Sequence, residues 1–130
     1  MFKDSKAFSG YSIDDLAAAK VFYAETLGLE VTEAPAGLGL NLAGGGQVFL
    51  YPKPNHEPAT FTILNFPVPD IDAAVDELTG KGVQFERYEG EMATDEKGVF
   101  RGAAQDIGPD IAWFRDPAGH ILSVMGGMDS

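Results

Sequence analysis

Two histidines and no cysteine bound the chemistry open to this chain of 130 residues. Without a thiol there is no disulfide, no thiolate nucleophile and no cysteine-built zinc site. His120 directly follows Gly119 and is expected to serve the turn or the start of the next strand; it lies three residues from Ser123, so on a strand the two point to opposite faces and do not pair as base and nucleophile. His56 falls within Pro52-Lys53-Pro54-Asn55-His56-Glu57-Pro58 and is expected to be a solvated loop residue. Carboxylates are more plentiful. Glu91, Asp95 and Glu96 form an acidic run that a cation can use, although such a run is ordinarily a solvated face. Arg101 and Arg115 are the candidates for an anionic group: Arg101 by bidentate contact with a carboxylate or phosphate, Arg115 by the same contact or by an ion pair with Asp110 or Asp116. Gly44-Gly45-Gly46 lies between two strands and reads as a hairpin turn, so no glycine-rich phosphate loop opens a helix.

Composition sets the kind of scaffold that must position these side chains. With 45% hydrophobic and 22% charged residues the chain can bury one core, and its length suits a single domain, residues 1–130. Nine Lys and Arg against twenty Asp and Glu leave a net charge of -11. That sign repels phosphate backbones and anionic lipid, so neither nucleic acid nor a membrane is an expected partner. Sixteen Gly and eight Pro beside a high apolar content point to a turn-rich sheet protein rather than to disorder. No apolar run is long enough for a signal peptide or a membrane span, and the expected compartment is the cytoplasm.

The pattern of elements occurs twice. Ala7 to Ile13 alternates as a strand; Asp14 or Asp15 then caps a helix with Leu16, Ala19, Phe22, Tyr23 and Leu27 at helical spacing, closed by Gly28. Three strands follow: Leu29 to Glu33, Leu38 to Leu42 and Gln47 to Tyr51. After the proline-rich linker 52–59, Thr60 to Val68 is again a strand and Asp70 again opens a helix, with Ile71, Ala74, Val75 and Leu78 on one face. Val83 to Tyr88, Ile111 to Arg115 and His120 to Met125 supply the next three strands, the last two joined by an Asp116-Pro117-Ala118-Gly119 turn. The period is about 55 residues, and the modules are about 1–52 and 60–130. Glu89 to Pro109 has no counterpart in the first half. It is expected to be a mobile flap, with Gly90, Gly98, Gly102 and Gly108 as hinges, against the alternative of an ordered plug built on Phe100 and Ile107.

Ile13-Asp14-Asp15-Leu16 leading to Phe22-Tyr23 and Leu27-Gly28-Leu29, then Val68-Pro69-Asp70-Ile71-Asp72-Ala73-Ala74, then Trp113-Phe114-Arg115-Asp116-Pro117-Ala118-Gly119-His120, resemble the vicinal oxygen chelate superfamily over nearly the whole chain. Glyoxalase I, fosfomycin and bleomycin resistance proteins and extradiol dioxygenases belong to it. The resemblance implies an α+β fold of two βαβββ modules whose curved mixed sheets enclose a cleft. In metal-dependent relatives a divalent cation polarises vicinal substrate oxygens, held by ligands that fall here on Phe8, Ile63 and Ser123, each seven residues from the Asp of its motif. Phe and Ile have no donor atom, so no metal and no other cofactor is expected. The resemblance also implies a homodimer.

Alternation along the implied strands selects the cleft-facing side chains. These are Phe8, Gly10 and Ser12; Gly39 and Asn41; Gln47, Phe49 and Tyr51; Ile63, Asn65 and Pro67; Ile111, Trp113 and Arg115; and Ile121, Ser123 and Met125. The ligand-binding set expected from them, with Arg101 from the long loop, is Phe8, Asn41, Gln47, Phe49, Tyr51, Ile63, Asn65, Arg101, Trp113, Ile121 and Ser123. An apolar wall with scattered polar groups suits sequestration of a small aromatic or cationic molecule. The same wall also suits a cleft filled as core. An enzyme, either a glyoxalase-like lyase or isomerase or a ring-cleaving dioxygenase with other metal ligands, is the alternative.

Overall fold

The computed structural model describes residues 1–127, and the chain divides into two compact units, Met1–Pro58 and Ala59–Ser130. Each unit holds one four-stranded mixed sheet that is not closed into a barrel, which makes the fold α+β. No helix among the described residues is long and apolar enough to cross a membrane.

In the first unit β1 (Ser9–Ile13) leads through α1 (Leu16–Val21) and a π-helical turn (Phe22–Thr26) into β2 (Glu30–Ala34), β3 (Gly37–Asn41) and β4 (Gln47–Pro52). The sheet order is β1-β4-β3-β2, with β1 parallel to β4 and the other pairs antiparallel. Asp15 begins the helix by accepting the Ala18 N–H at 3.0 Å. The helix is shorter than its apolar spacing suggests, because Leu27 N–H donates to Phe22 O, one residue beyond the α pattern. Leu16 is exposed, and Ala19 and Tyr23 are buried with Ile13, Leu38, Leu40 and Leu50. Each buried aliphatic side chain there contributes roughly 1.5–3 kcal/mol of transfer free energy. Tyr23 places its hydroxyl in this core because Tyr11 donates to it at 2.8 Å. The Gly44–Gly46 hairpin forms as expected, with Leu42 N–H on Gly46 O and Gly45 N–H on Leu42 O.

The second unit runs β5 (Thr62–Pro67), α2 (Ile71–Gly80), β6 (Val99–Arg101), β7 (Asp110–Arg115) and β8 (Ile121–Met125), in sheet order β5-β8-β7-β6. Asp70 caps α2 through the Ala73 N–H at 3.1 Å, and Ile71, Val75 and Leu78 form its buried face. Against it lie Ala112, Phe114, Leu122 and Val124, which are buried on β7 and β8.

Val83 to Tyr88, expected as a full strand, meets the sheet among the described residues where Phe85 bridges Phe114 and Glu86 N–H donates to Trp113 O. The chain folds back there: Tyr88 N–H donates to Thr94 Oγ1 at 3.0 Å and Thr94 N–H to Tyr88 O at 3.0 Å. The rest of the β7 edge is taken by β6, from the segment expected to be a flap.

Candidate functional site

On the first sheet the residues opposite one another form rows on one face. Phe49 of β4 lies between Gly10 of β1 and Gly39 of β3, and Gly39 is paired in turn with Thr32 of β2. The two glycines set no side chain against the half-buried Phe49 ring, whose Cζ reaches toward Gly37, and Tyr51 stacks beside it at 6.4 Å and 19°. In the next row Gln47 Nε2 donates to Asn41 Oδ1 at 3.0 Å, and Asn41 Nδ2 donates to Thr32 Oγ1 at 2.9 Å and Glu30 O at 3.4 Å. Phe8 precedes β1, is 66% exposed, and with Gly39, Gln47, Val48 and Phe49 lines a depression of about 260 Å³. The structure thus brings Phe8, Asn41, Gln47, Phe49 and Tyr51 onto one face, as alternation required.

Ser12 belongs to the same face, and its Oγ lies 2.6 Å from His56 Nδ1. His56 is therefore not a solvated loop residue. The linker turns back through His56 N–H on Lys53 O, which returns the imidazole to the C-terminal end of β1.

On the second sheet Asn65, Ser123 and Trp113 share one row across β5, β8 and β7. Ser123 Oγ donates to Asn65 Oδ1 at 2.5 Å and is fully buried. Trp113 has Tyr88 edge-on at 5.4 Å and Phe100 tilted at 6.4 Å. Burial, and then the nearby Glu86 carboxylate, push the Tyr88 phenol above its usual value, so it keeps its proton through neutral pH. The place of Ile63 corrects the sequence reading. Thr62 pairs with Ile121 and Leu64 with Leu122, so Ile63 is the extra residue of a β-bulge and simple alternation fails at that point. Beyond it the expected faces hold, because Leu64 and Phe66 align with buried Leu122 and Val124. Ile121 sits in the row with Thr62 and Arg115.

Both candidate arginines, Arg101 and Arg115, are committed within the chain. Arg115 pairs with Glu86, not with Asp110 or Asp116, and its second arm donates to Gly119 O at 3.0 Å. Asp116 instead accepts the His120 N–H at 2.8 Å, which closes the turn and fulfils the structural role expected of His120. Arg101 donates to both oxygens of Asp72 at 2.8 and 3.1 Å and to Asp95 at 2.9 Å, with Asp110 at 3.6 Å. Its guanidinium fork is filled by the chain's own carboxylates and is not held open for a ligand anion. The Arg101 hydrogen bonds, followed by those of Lys97, hold Asp72 well below the usual carboxylate range. For Asp95, burial acts upward but is outweighed by the Val99 N–H, the Arg101 guanidinium and the Lys97 N–H, so its carboxyl is also lowered.

This network corrects the flap. Asp95 gathers the Lys97 and Val99 N–H groups, each at 2.9 Å, Val99 and Phe100 are buried, and β6 is hydrogen-bonded into the sheet. Ile107, by contrast, is 62% exposed and is no plug. Asp95 faces these donors and so is not part of a cation-holding acidic run; among the described residues no three His, Cys, Asp or Glu side chains come together as a metal-holding group.

A profile of the Glyoxalase/Bleomycin resistance protein/Dioxygenase superfamily matches residues 9–124, and the chain belongs to that superfamily. Solved structures share the fold. FosX, a genomically encoded fosfomycin resistance protein from Listeria monocytogenes, has a TM-score of 0.67 at 12% identity, with 94% of this chain and 92% of that one covered. A glyoxalase family protein from Enterococcus faecalis has a TM-score of 0.67 at 22% identity, covering 96% and 99%. The antibiotic binding protein TnmS3 from a Streptomyces species has 0.60 at 20%, covering 92% and 94%. No curated protein matches.

Proposed function

We propose that this chain is a metal-independent small-molecule binding protein, acting in the cytoplasm as a homodimer, which sequesters an aromatic or cationic compound. The observation that carries the reading is the first sheet's face, where the stacked Phe49 and Tyr51 rings lie beside glycines and a polar ladder over an open depression. Apolar stacking supplies affinity there and a few fixed polar groups supply orientation. Trp113 with Asn65 and Ser123 forms a comparable aromatic and polar face on the second sheet. A TnmS3-like antibiotic-binding role agrees with this reading. The superfamily's divalent cation does not fit the residues at its three places: Phe8 and Ile63 offer no donor atom, and Ser123 offers one neutral, buried hydroxyl bonded to Asn65 where a carboxylate is needed.

Two measurements test this. Screening a library of aromatic and cationic compounds by thermal shift and by fluorescence of the single tryptophan is expected to yield binders whose affinity falls at least about tenfold in Phe49→Ala. A library without binders would defeat the reading. Elemental analysis of protein purified without chelator is expected to show no stoichiometric transition metal. Bound metal that is lost in His120→Ala or Glu91→Ala would instead support the lyase, isomerase or dioxygenase alternative.

A further inference from the structure

Gly39 occupies the middle of β3, where glycine weakens a strand unless geometry demands it. Geometry does not demand it here. Its φ is not among the positive ones, and a Cβ built on it would meet its nearest atoms, Thr32 O and Cβ, at 3.8 and 3.9 Å, an ordinary contact distance. The other two strand glycines of the unit differ: a Cβ at Gly37 would strike Leu50 O at 2.0 Å, and one at Gly10 would press Phe49 O at 3.2 Å. What the missing side chain leaves open is the floor of the depression beside Phe49, its cross-strand partner.

The polar edge of the same depression has a fixed sense. Glu30 O can only accept, so the Asn41 amide turns Nδ2 toward it and Oδ1 toward Gln47. Gln47 must then donate through Nε2, which leaves Oε1 as an acceptor at the end of the ladder, with no hydrogen bond from any described residue.

We propose that Gly39 is a specificity-determining residue, kept small so that a flat aromatic ring can lie against Phe49 while a ring N–H or O–H of that ligand donates to Gln47 Oε1. This rests on the small-molecule reading above. A ring lacking a donor leaves the acceptor desolvated and unpaired, and a side chain at position 39 takes the space of the ring.

Indole and 1-methylindole are the probes, since they differ in the donor and share the ring. Calorimetry supported by ligand-observed NMR is expected to show indole binding wild type roughly fivefold more tightly than 1-methylindole. Gln47→Leu should erase that difference. Gly39→Val should weaken both probes by at least about tenfold while its melting temperature equals or exceeds that of wild type, because a β-branched residue suits a strand. Gly39→Ala should fall between. A Gly39→Val and a Gly39→Ala that both melt below wild type would show that the fold needs the glycine, and this readout needs no ligand. Folded Gly39→Val with unchanged indole affinity would overturn the role of the residue. Equal affinity for the two indoles, or none for either, would overturn the ligand class while the library screen separately decides the broader function.

Discussion

The imidazole of His120 is 3% exposed and accepts the Ala59 N–H through Nδ1 at 3.1 Å, while its backbone is held by Asp116. Removing the ring leaves the half-buried Ala59 N–H without its acceptor and opens a void, so His120→Ala is expected to lower stability by about 2–4 kcal/mol in urea unfolding. A loss under about 0.5 kcal/mol would contradict the assigned role. That His120 serves the turn was legible in the sequence, because Asp-Pro-Ala-Gly immediately before it is a strong turn signal. His56 was not: its partner Ser12 is 44 positions away, and nothing local marks an imidazole that folds back onto a strand. The same limit explains Arg115, whose partner Glu86 is 29 positions distant, whereas the nearer Asp110 and Asp116 dominated the sequence reading. For the first sheet's face, the period of two was enough to select Asn41, Gln47, Phe49 and Tyr51 as companions.

Among the elements, helix caps and hairpin turns could be read because Asp15, Asp70, Gly45 and Gly119 act within three or four residues of themselves. The bulge at Ile63 and the exchange of Val83–Tyr88 for β6 at the sheet edge could not, since each depends on pairing with distant strands. Asp95 is the residue that decides the second case. Without its carboxylate the Lys97 and Val99 N–H groups and one arm of Arg101 lose their acceptor together. Asp95→Ala should therefore destabilise the protein by about 1–3 kcal/mol and speed amide exchange at Val99 and Phe100, which are expected to exchange slowly in ligand-free wild type. Acid should have a similar effect. Asp72 and Asp95 have folded values depressed below their unfolded ones, so their contribution is fully present above about pH 4 and is lost as the pH falls through the depressed values. Amide exchange at Val99 and Phe100, corrected for its intrinsic pH dependence, should thus loosen below pH 4 in wild type. In Asp72→Asn/Asp95→Asn that acid step should vanish, and a step that persists in the double variant would remove these carboxyls as its cause.

At the scale of the molecule, the net charge of -11 and the proposed pairing of two copies act against each other. Each sheet ends in edge strands, β1 and β2 in the first and β5 and β6 in the second, and edges of this kind favour cover by a partner. Association nevertheless brings two strongly acidic surfaces together. Such repulsion is long-ranged at low salt and is screened over about 8 Å at physiological ionic strength. Apolar contact changes little over the same range of modest salt, so the sign of the dependence reports the electrostatic part alone. The homodimer is therefore expected to strengthen with salt: light scattering at micromolar protein should give twice the 13.8 kDa chain mass at about 150 mM salt and a lower average mass at about 10 mM. A mass of one chain at both ionic strengths would remove the dimer. A dimer that weakens as salt is added would show instead that its interface is held by opposite charges, against the balance of twenty acidic and nine basic residues in the sequence.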